Sequence, residues 1–556
     1  MTIIDTVKAQ FSPAPVEVEL DHGVGEIHSV HAQDADIEGL EKPAYAVDVV
    51  ERGVSNVEAA QAVWGKYGKW YIAAGIAMMM VLYELDNSTV YVYNGYGTST
   101  FDKVSVLSTL STASSILFAV VKPLIAKISN VIGRGETYLI TISCYVLSYI
   151  LLASAKNINT YAAGSIIYSI GQSGTNIMND IIISDISSAR WRGLALGISF
   201  FPFLIIPWIS AYIVESCVTG IGWRWGIGMF AILMPFGASA IITALLYYQH
   251  KAKKAGITVK QRITIYEFCS QVDLGGSILL SGGFAMILLP FTLAATTPAR
   301  WSTPYVDVLI ALGCVFIIAL PFYEKFVAKH PIVPFRYFKT LSITMSCLLI
   351  ATDSLGFEVT HTYLYTWASI ARGYDARMAT FYIYTNGVTQ CLFGIMAGLI
   401  MLKTRKYKWM LMSAVCIRLI GYGIMMRLRG ANNSDAELFI VQLIQGIGSG
   451  IIQIAVIVSA QVVVPHAEMA QVTALVLCCS FLGSSIGTSI AGGIYTNTLK
   501  DALYDALGST ATQSLVDTVY SSITGVIPAW GTVQRTAIDE AVSLMRKLEG
   551  FEEPHR

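Results

Sequence analysis

The feature that most constrains this chain is a series of apolar runs, each about 20 residues long, between residues 70 and 494. Each run can cross a bilayer core about 30 Å thick. Because lipid offers no partners for backbone N–H and C=O groups, such runs are expected to be helices. Hydropathy predicts about 13 spans, at 70–93, 104–125, 137–155, 160–184, 193–215, 225–248, 274–296, 305–327, 341–360, 376–401, 409–427, 436–460 and 470–494. The predicted fold class is therefore an all-α polytopic membrane protein.

Composition supports this class. Hydrophobic residues make up 54% of the chain and charged residues 13%, which is about half the charged fraction of soluble domains. The formal net charge of +0 gives no reason to expect a nucleic-acid partner. Most of the nine cysteines lie within apolar runs, which favours buried thiols over a disulfide framework.

The N-terminal segment, residues 1–68, lacks the basic start and short apolar core of a signal peptide. It is polar and acid-rich, so we expect a disordered cytoplasmic tail. With this terminus inside, the cytoplasmic loops hold about 16 basic residues and the outside loops about 6, in agreement with the positive-inside rule.

The longest cytoplasmic connection, 250–273, suggests how the helices are grouped. We expect a six-helix N-terminal bundle at 69–249, this linker, two extra helices at 274–327 and a C-terminal bundle at 328–494, followed at 495–556 by an extracellular loop and a C-terminal tail. Many transporters consist of two bundles around a site at the bilayer midplane.

The first span carries two acids, Glu84 and Asp86, although a carboxylate in hydrocarbon is costly. Helical spacing predicts two polar faces: Glu84, Asn87, Ser88 and Tyr91 on one, and Asp86, Thr89 and Tyr93 on the other. Two interpretations stay open. The acids could form a structural ion pair or polar anchor near the outer interface, or a proton or substrate site open to the outside.

Polar residues recur in later spans, at Asn176 and Asp180 in span 4 and at Asp353, Glu358 and His361 in span 9. His361 is either a group that titrates in the physiological range or a hydrogen-bonded bystander. Arg418, near the middle of span 11, needs an anion, which is either an acid on another helix or an anionic substrate.

Small and aromatic residues add two further patterns. Gly446, Gly448 and Gly450 in span 12 favour close helix packing. Tyr363, Tyr365 and Trp367 follow span 9 at its outer end. They fit either an interfacial aromatic belt or a stacking surface for a bulky ligand.

Two motif classes are missing from the sequence. It contains neither a phosphate-binding loop of the GxxxxGK[ST] type nor a tightly spaced metal-ligand cluster. We therefore expect neither an enzyme nor an ATP-driven pump, and no cofactor or protein-bound metal. Buried carboxylates suit transport driven by a proton gradient.

The segment AKISNVIGRGETYL, residues 126–139, resembles the loop motif of the major facilitator superfamily, in which a small residue and an acid precede Gly-Arg. Gly133 and Arg134 match, whereas Asn130 stands where the acid usually lies. The stretches SDISSARWRGLALG (184–197), GWRWGIGMF (222–230) and HPIVPF (330–335) add to the likeness. The resemblance implies a cytoplasmic gate network of Asn130, Arg134, Asp185, Arg190 and Arg192.

A more specific resemblance comes from YELDNSTVYVY (83–93), GQSGTNIMNDIIISDI (171–186) and YLYTWASIARGYD (363–375). The ordered set, from about residue 60 to 530, is similar to the fungal siderophore–iron transporter family. The drug-exporter signature GPxxGG is absent from span 5. The resemblance implies fourteen spans, so the C-terminal bundle is expected to be one helix short, and residues 495–530 are expected to form a long external loop that contacts ligand.

The resemblance implies a proton-coupled importer of ferric hydroxamate siderophore in the plasma membrane, or in an endosomal or vacuolar membrane. We expect its partners to be the ferric siderophore, protons and the lipid bilayer, and the protein to be a monomer. The expected substrate and proton pathway comprises Glu84, Asp86, Asn87, Tyr91, Asn176, Asp180, Asp353, Glu358, His361 and Arg418, with Tyr363, Tyr365 and Trp367 at the ligand mouth. The alternatives are a haem importer, a glutathione/proton exchanger, and a non-transporting receptor or inactive truncated member.

Overall fold

A computed structural model describes residues 65–186, 198–199, 201–254, 265–293, 304–329, 331, 335–404, 407–428, 433–464, 469–522, 528–529 and 531–548. Helices and short connections make up all of this described part, and every described helix belongs to one compact unit. Nine of the described helices are long and apolar enough to cross a membrane. The larger count of about 13 spans stays a prediction.

The first group of helices occupies most of the expected N-terminal bundle. Its members are α1 (Gly65–Thr100), α2 (Val106–Val131), α3 (Arg134–Ser154), α4 (Ile158–Ile186), α5 (Ile206–Ser216), α6 (Trp223–Gly228) and α7 (Phe230–Lys254). α3 packs against α4, α7 lies against both α1 and α3, and α1 contacts α5. The single span expected at 225–248 is divided at Met229 into α6 and α7.

Three helices follow in the middle of the chain: α8 (Ile265–Val272), α9 (Leu274–Leu293) and α10 (Pro304–Phe326). α8 lies within the segment expected to be a linker, so that segment is partly helical. α9 and α10 form a pair, and α9 also packs against α2. The outward face of α10 is apolar, with Ile318 and Phe322 more than half exposed, as expected for side chains in contact with lipid.

The second group comprises α11 (Leu341–His361), α12 (Leu364–Ala371), α13 (Ala376–Thr404), α14 (Lys408–Arg427), α15 (Asp435–Gln461) and α16 (Met469–Leu507). α15 starts with a capping box, in which Ser434 and Glu437 bond each other's backbone N–H. α15 packs closely on α13, and the prediction that glycines allow this is confirmed. A Cβ atom added at Gly446 would lie 2.5 Å from the carbonyl oxygen of Asn386.

The segment expected to be an external loop is largely helical where it is described. α16 continues to Leu507 instead of ending near residue 494, and α17 (Gln513–Ser521) and α18 (Val533–Leu548) follow. α18 packs on α12 and on the end of α16. The hydropathy pattern gave no signal for α18 because only one side of this helix is apolar and buried, with Ile538, Ala541 and Val542 at its centre.

The two groups meet along two pairs of helices, α2 with α16 and α5 with α13. We call the α2–α16 contact the seam. The positive-inside rule predicts that the end of α1 and the start of α2 lie on the non-cytoplasmic side, and we call this end of the molecule the outer end. α12, α17 and α18 all lie there.

Candidate functional site

Asp86 lies inside the first helix group, enclosed by three tyrosines. The phenol of Tyr149 donates to Oδ1 at 2.7 Å, and those of Tyr168 and Tyr145 donate to Oδ2 at 2.8 and 3.1 Å. Asp86 is completely buried. Three neutral donors therefore satisfy this carboxyl without any cation. Neither an ion pair nor a site open to the outside describes Asp86 in this conformation.

The other polar face of α1 points towards the second helix group. Tyr384 on α13 donates to the carbonyl oxygen of Ser88 at 2.9 Å, and Gln172 on α4 donates to Asn87 at 3.1 Å. Glu84 is 3% exposed, and its Oε2 atom has no hydrogen-bond partner within the described part of the chain. Tyr91 is about half exposed. The two predicted faces of α1 are thus separate environments, one sealed within a group and one between groups.

Asn176 and Asp180 on α4 lie nearer the cytoplasmic end. Asn176 is a hydrogen-bonding neighbour of the Tyr83 phenol on α1. Asp180 interacts electrostatically with Lys122 of α2. The sequence argument omitted Lys122 because it falls near residue 125, where span 2 was expected to end. α2 continues to Val131, so Lys122 is well inside the helix.

Asp353 and Arg418 form a buried ion pair in the second group, between α11 and α14. Arg418 Nε donates to Asp353 Oδ1 at 2.8 Å, and the two side chains are 4% and 9% exposed. Arg418 Nη1 also donates to the carbonyl oxygen of Gln445, and Ser449 donates to Asp353 Oδ2. Of the two anions considered for Arg418, the structure supplies the acid on another helix.

Glu358 and His361 follow on α11. The ring nitrogens of His361 lie 2.9 Å from the Phe357 carbonyl oxygen and 2.9 Å from Gln442 Oε1 on α15. His361 is buried, which agrees with the hydrogen-bonded interpretation. Glu358 is partly exposed and makes no hydrogen bond or ion pair through its carboxyl group with the described residues. Its position is therefore compatible with contact to solvent or ligand.

The three aromatic residues expected at an open ligand mouth are buried instead. Tyr363 stacks on Tyr495 of α16 with ring centroids 4.1 Å apart. The hydroxyl of Tyr365 lies 3.0 Å from that of Tyr96 on α1. Trp367 donates to Ser543 of α18 at 3.4 Å. Neither a lipid-facing belt nor an exposed stacking surface describes them in this conformation, because the chain after residue 494 folds back over α12.

The expected gate network is partly assembled. Arg134 Nε donates to Asp185 Oδ2 at 3.1 Å, and Arg134 Nη1 donates to Ser129 at 2.6 Å. Gly133 has a φ of 131°, which favours glycine at the turn before α3. Asn130 belongs to α2, but its side chain lies outside the described part, as do Arg190 and Arg192 altogether.

Within the described ranges, no three His, Cys, Asp or Glu side chains are placed so that they could hold a metal ion. Tyr145, Tyr149, Tyr168 and Lys122 are the site residues that sequence reasoning missed. Only Lys122 carried a local signal, a charge within an apolar run.

Comparison with known proteins gives consistent matches. The model of the Major Facilitator Superfamily matches residues 76–488. Siderophore iron transporter 1 of Schizosaccharomyces pombe is 29% identical over 98% of this chain and 92% of its own length. MFS siderochrome iron transporter B of Aspergillus fumigatus is 30% identical, with 97% and 89% covered. A low affinity heme transporter of Schizosaccharomyces pombe is 30% identical, with 84% and 78% covered.

Solved structures agree on the fold. A bacterial homolog of the human lysosomal transporter Spinster has a TM-score of 0.57 at 13% identity, covering 88% of this chain and 95% of that one. The peptide transporter POT has a TM-score of 0.54 at 14% identity, with 88% and 97% covered. The chain belongs to the major facilitator superfamily and, within it, to the fungal siderophore–iron transporter family.

Proposed function

We propose that this protein imports ferric siderophore by alternating access, driven by protons. The observation that carries the proposal is the similarity, over nearly the whole chain, to proteins named siderophore and siderochrome iron transporters. Iron enters as part of the chelate and is cargo. The protein therefore has to provide a path for a bulky oxygen-rich molecule and no metal ligands of its own.

The outer end supplies contacts that alternating access would have to break. The hydroxyls of Tyr96 and Tyr365 lie 3.0 Å apart, and those of Ser99 and Ser522 lie 2.6 Å apart. Each pair links α1 to a segment later in the chain, since Tyr365 lies in α12 and Ser522 directly follows α17. We call these two pairs the outer seal. A chelate entering from outside requires the outer seal to open, and neutral hydroxyl contacts are inexpensive to replace with water.

The seal suggests a direct test by disulfide trapping. The buried Ser99 and Ser522 hydroxyls are close enough for a Ser99→Cys, Ser522→Cys double variant to form a disulfide. We expect oxidation to abolish uptake of radiolabelled ferric siderophore and a reductant to restore it. Each single cysteine variant should transport normally under both conditions. Normal uptake with the cross-link fully formed would disprove opening at the outer seal.

Glu84 is the best candidate for the proton-carrying group. Its Oε2 atom has no hydrogen-bond partner among the described residues, whereas both oxygens of Asp86 have phenol donors. Glu84 also lies on the face of α1 that meets the second helix group. An acid at this position changes its surroundings when the two groups move, and such a change alters the cost of its charge and lets it gain and lose a proton during the cycle.

Uptake of labelled ferric siderophore should be measured in cells without other iron carriers. We expect a protonophore to abolish accumulation. In Glu84→Gln the uptake rate should fall about tenfold or more, which corresponds to an activation free energy raised by roughly 1.4 kcal/mol. Glu540→Gln on the exposed side of α18 is the matched control. Accumulation that survives the protonophore would refute proton coupling, and full activity of Glu84→Gln would remove this residue from the route.

Haem import is the second candidate, favoured by the similarity to a protein named a low affinity heme transporter. Competition distinguishes the two cargoes. Excess haem should leave ferric siderophore uptake unchanged if siderophore is the cargo, and a haem-specific carrier would show the reverse preference.

We further propose that the protein acts as a monomer in the plasma membrane, which fits uptake from the medium. A fluorescent fusion of the protein that is found only at an internal membrane would contradict that location.

A further inference from the structure

Lys122 is a cation held inside the membrane at the seam. It lies 16 residues after Val106, the first residue of α2, or about 24 Å along the helix axis. Its Nζ atom is 4.7 Å from the ring centroid of Phe481 on α16 and 6.0 Å from that of Phe118 on α2. The two rings stack with centroids 5.4 Å apart. The ammonium group therefore reaches from one helix group to an aromatic surface that belongs partly to the other.

The direction of this side chain argues against a lipid-anchoring role. Lysines near a helix end usually extend along the helix so that the charge reaches the head-group region. Lys122 instead approaches Phe481, across the seam. Lys122, Phe118 and Phe481 are all partly exposed. The cation and the two aromatic faces thus lie together at the boundary between the two helix groups, and none of the three side chains is fully buried.

The charge of Lys122 is not neutralised by direct contact. Asp180 acts on it electrostatically, but no described carboxylate lies within ion-pair distance of its Nζ atom. Arg418, the other cation considered within the membrane, has its carboxylate at 2.8 Å. A cation at membrane depth is costly unless an anion or water compensates it. Lys122 is therefore ready to accept an anionic group that arrives along the seam.

We infer that Lys122, Phe118 and Phe481 form a ligand subsite for the anionic edge of the ferric chelate. The ammonium group binds a carboxylate on the chelate, and the two rings contact its apolar arms. This inference rests on the proposed function and narrows it, because it predicts a preference for chelates that bear a carboxylate over neutral ferric trihydroxamates. Phe481 moves with the second helix group, so the subsite is complete only while the seam is closed around it.

The test compares two chelates in Lys122→Met, which keeps most of the side-chain volume, and in Lys122→Arg, which keeps the charge. Uptake is measured with a neutral ferric trihydroxamate and with a carboxylate-bearing analogue, over a range of concentrations. For Lys122→Met we expect KM for the carboxylate-bearing chelate to rise about tenfold or more, and KM for the neutral chelate to change less than about threefold. Lys122→Arg should keep both values within about threefold of the wild type.

Lys103→Met, an exposed lysine at the outer turn, is the matched control for loss of one positive charge. Phe481→Leu offers a second variant should Lys122→Met fail to reach the membrane. It should weaken uptake of the carboxylate-bearing chelate while the amount of protein at the surface is unchanged.

Two results would overturn the inference. One is an equal rise of KM for both chelates in Lys122→Met, and the other is a lower maximal rate with unchanged KM, which indicates a role in the movement of the helices. Absence of uptake of either chelate by the wild type is a failure of the proposed function. In that case, binding of both chelates to the purified wild-type and Lys122→Met proteins still decides the subsite. The same charge-dependent difference in Kd supports it, and identical Kd values refute it.

Discussion

Asp86 and Asp353 are both acids on the first helix of a helix group, but the two groups satisfy them in different ways. Asp86 accepts hydrogen bonds from three phenols, and Asp353 accepts one from the guanidinium of Arg418. The phenols are neutral, so Asp86 can gain or lose a proton without leaving a buried cation behind. Protonation of Asp353 would leave Arg418 unpaired in the membrane interior, which is costly.

This difference suggests a division of labour. The second group pairs its acid with a cation on another helix, which ties α11 to α14. The first group contains acids that are not paired with a cation among the described residues, namely Asp86 in its phenol cage and Glu84, whose Oε2 atom has no described hydrogen-bond partner. We therefore place the proposed proton coupling in the first group, and the following predictions test whether the two acids differ as this comparison requires.

The largest expected effect is that of Arg418→Met. The change leaves Asp353 buried without its cation and should lower the free energy of unfolding by about 3–5 kcal/mol. The measurement is unfolding of the detergent-solubilised protein by a denaturing detergent. Arg427→Met, at the exposed end of α14, is the matched control and should have little effect.

A double variant sharpens this prediction. Adding Asp353→Leu to Arg418→Met removes both charges, so most of the lost stability should return. A single variant as stable as the wild type would show that the pair is not the main support of the second group. A double variant that stays as unstable as the single one would show that packing, rather than the unpaired charge, causes the loss.

A smaller, graded effect is expected for the phenol cage. Tyr149→Phe removes the 2.7 Å hydrogen bond to Asp86 and should cost about 1–3 kcal/mol, the range for leaving a buried acceptor without its donor. Tyr145→Phe removes the 3.1 Å bond and should cost less. The same unfolding measurement applies, with Tyr247→Phe on the exposed face of α7 as control. A collapse of the fold after loss of one hydroxyl would contradict a cage with three replaceable donors.

The sequence predicted one level of this organisation well. Apolar run length predicted a helical membrane protein, and the 3.6-residue period predicted that Asp86 and Glu84 face different surroundings. Local pattern could not identify the partners, because they are far along the chain. Tyr145, Tyr149 and Tyr168 lie 59, 63 and 82 residues from Asp86. A tyrosine in a span reads equally well as an interfacial anchor, so nothing local marked these three as donors.

The outer aromatic residues show the same limit more strongly. Trp367 is 1% exposed because α18 covers it, and α18 is separated from it by more than 150 residues of chain. The amphipathic pattern of α18 was too short and too polar to count as a span. Lys122 was missed for a different reason. The predicted end of span 2 was a few residues too early, which placed Lys122 at the interface instead of in the membrane interior.

The smallest expected effect concerns a third acid, Asp539 of α18, which lies outside both helix groups and has a cation beside it. Arg535 Nε lies 3.1 Å from Asp539 Oδ1, yet burial raises the pKa of Asp539 to about 6 because the loss of hydration outweighs the attraction of Arg535. This acid therefore binds a proton more tightly when the helix is docked than when the chain is unfolded.

The sign of the pH dependence follows from that difference. The folded-state pKa lies above the unfolded value of 3.8, so docked α18 is most stable below about pH 4 and loses stability as the pH rises through 6. The change in the stability of docked α18 should be on the order of 1–2 kcal/mol. Hydrogen-exchange protection of residues 531–548, corrected for intrinsic rates, should therefore be higher at pH 5 than at pH 7. Asp539→Asn should remove the dependence, whereas Glu540→Gln should keep it. Greater protection at pH 7 would show that the ion pair with Arg535 outweighs the loss of hydration at Asp539.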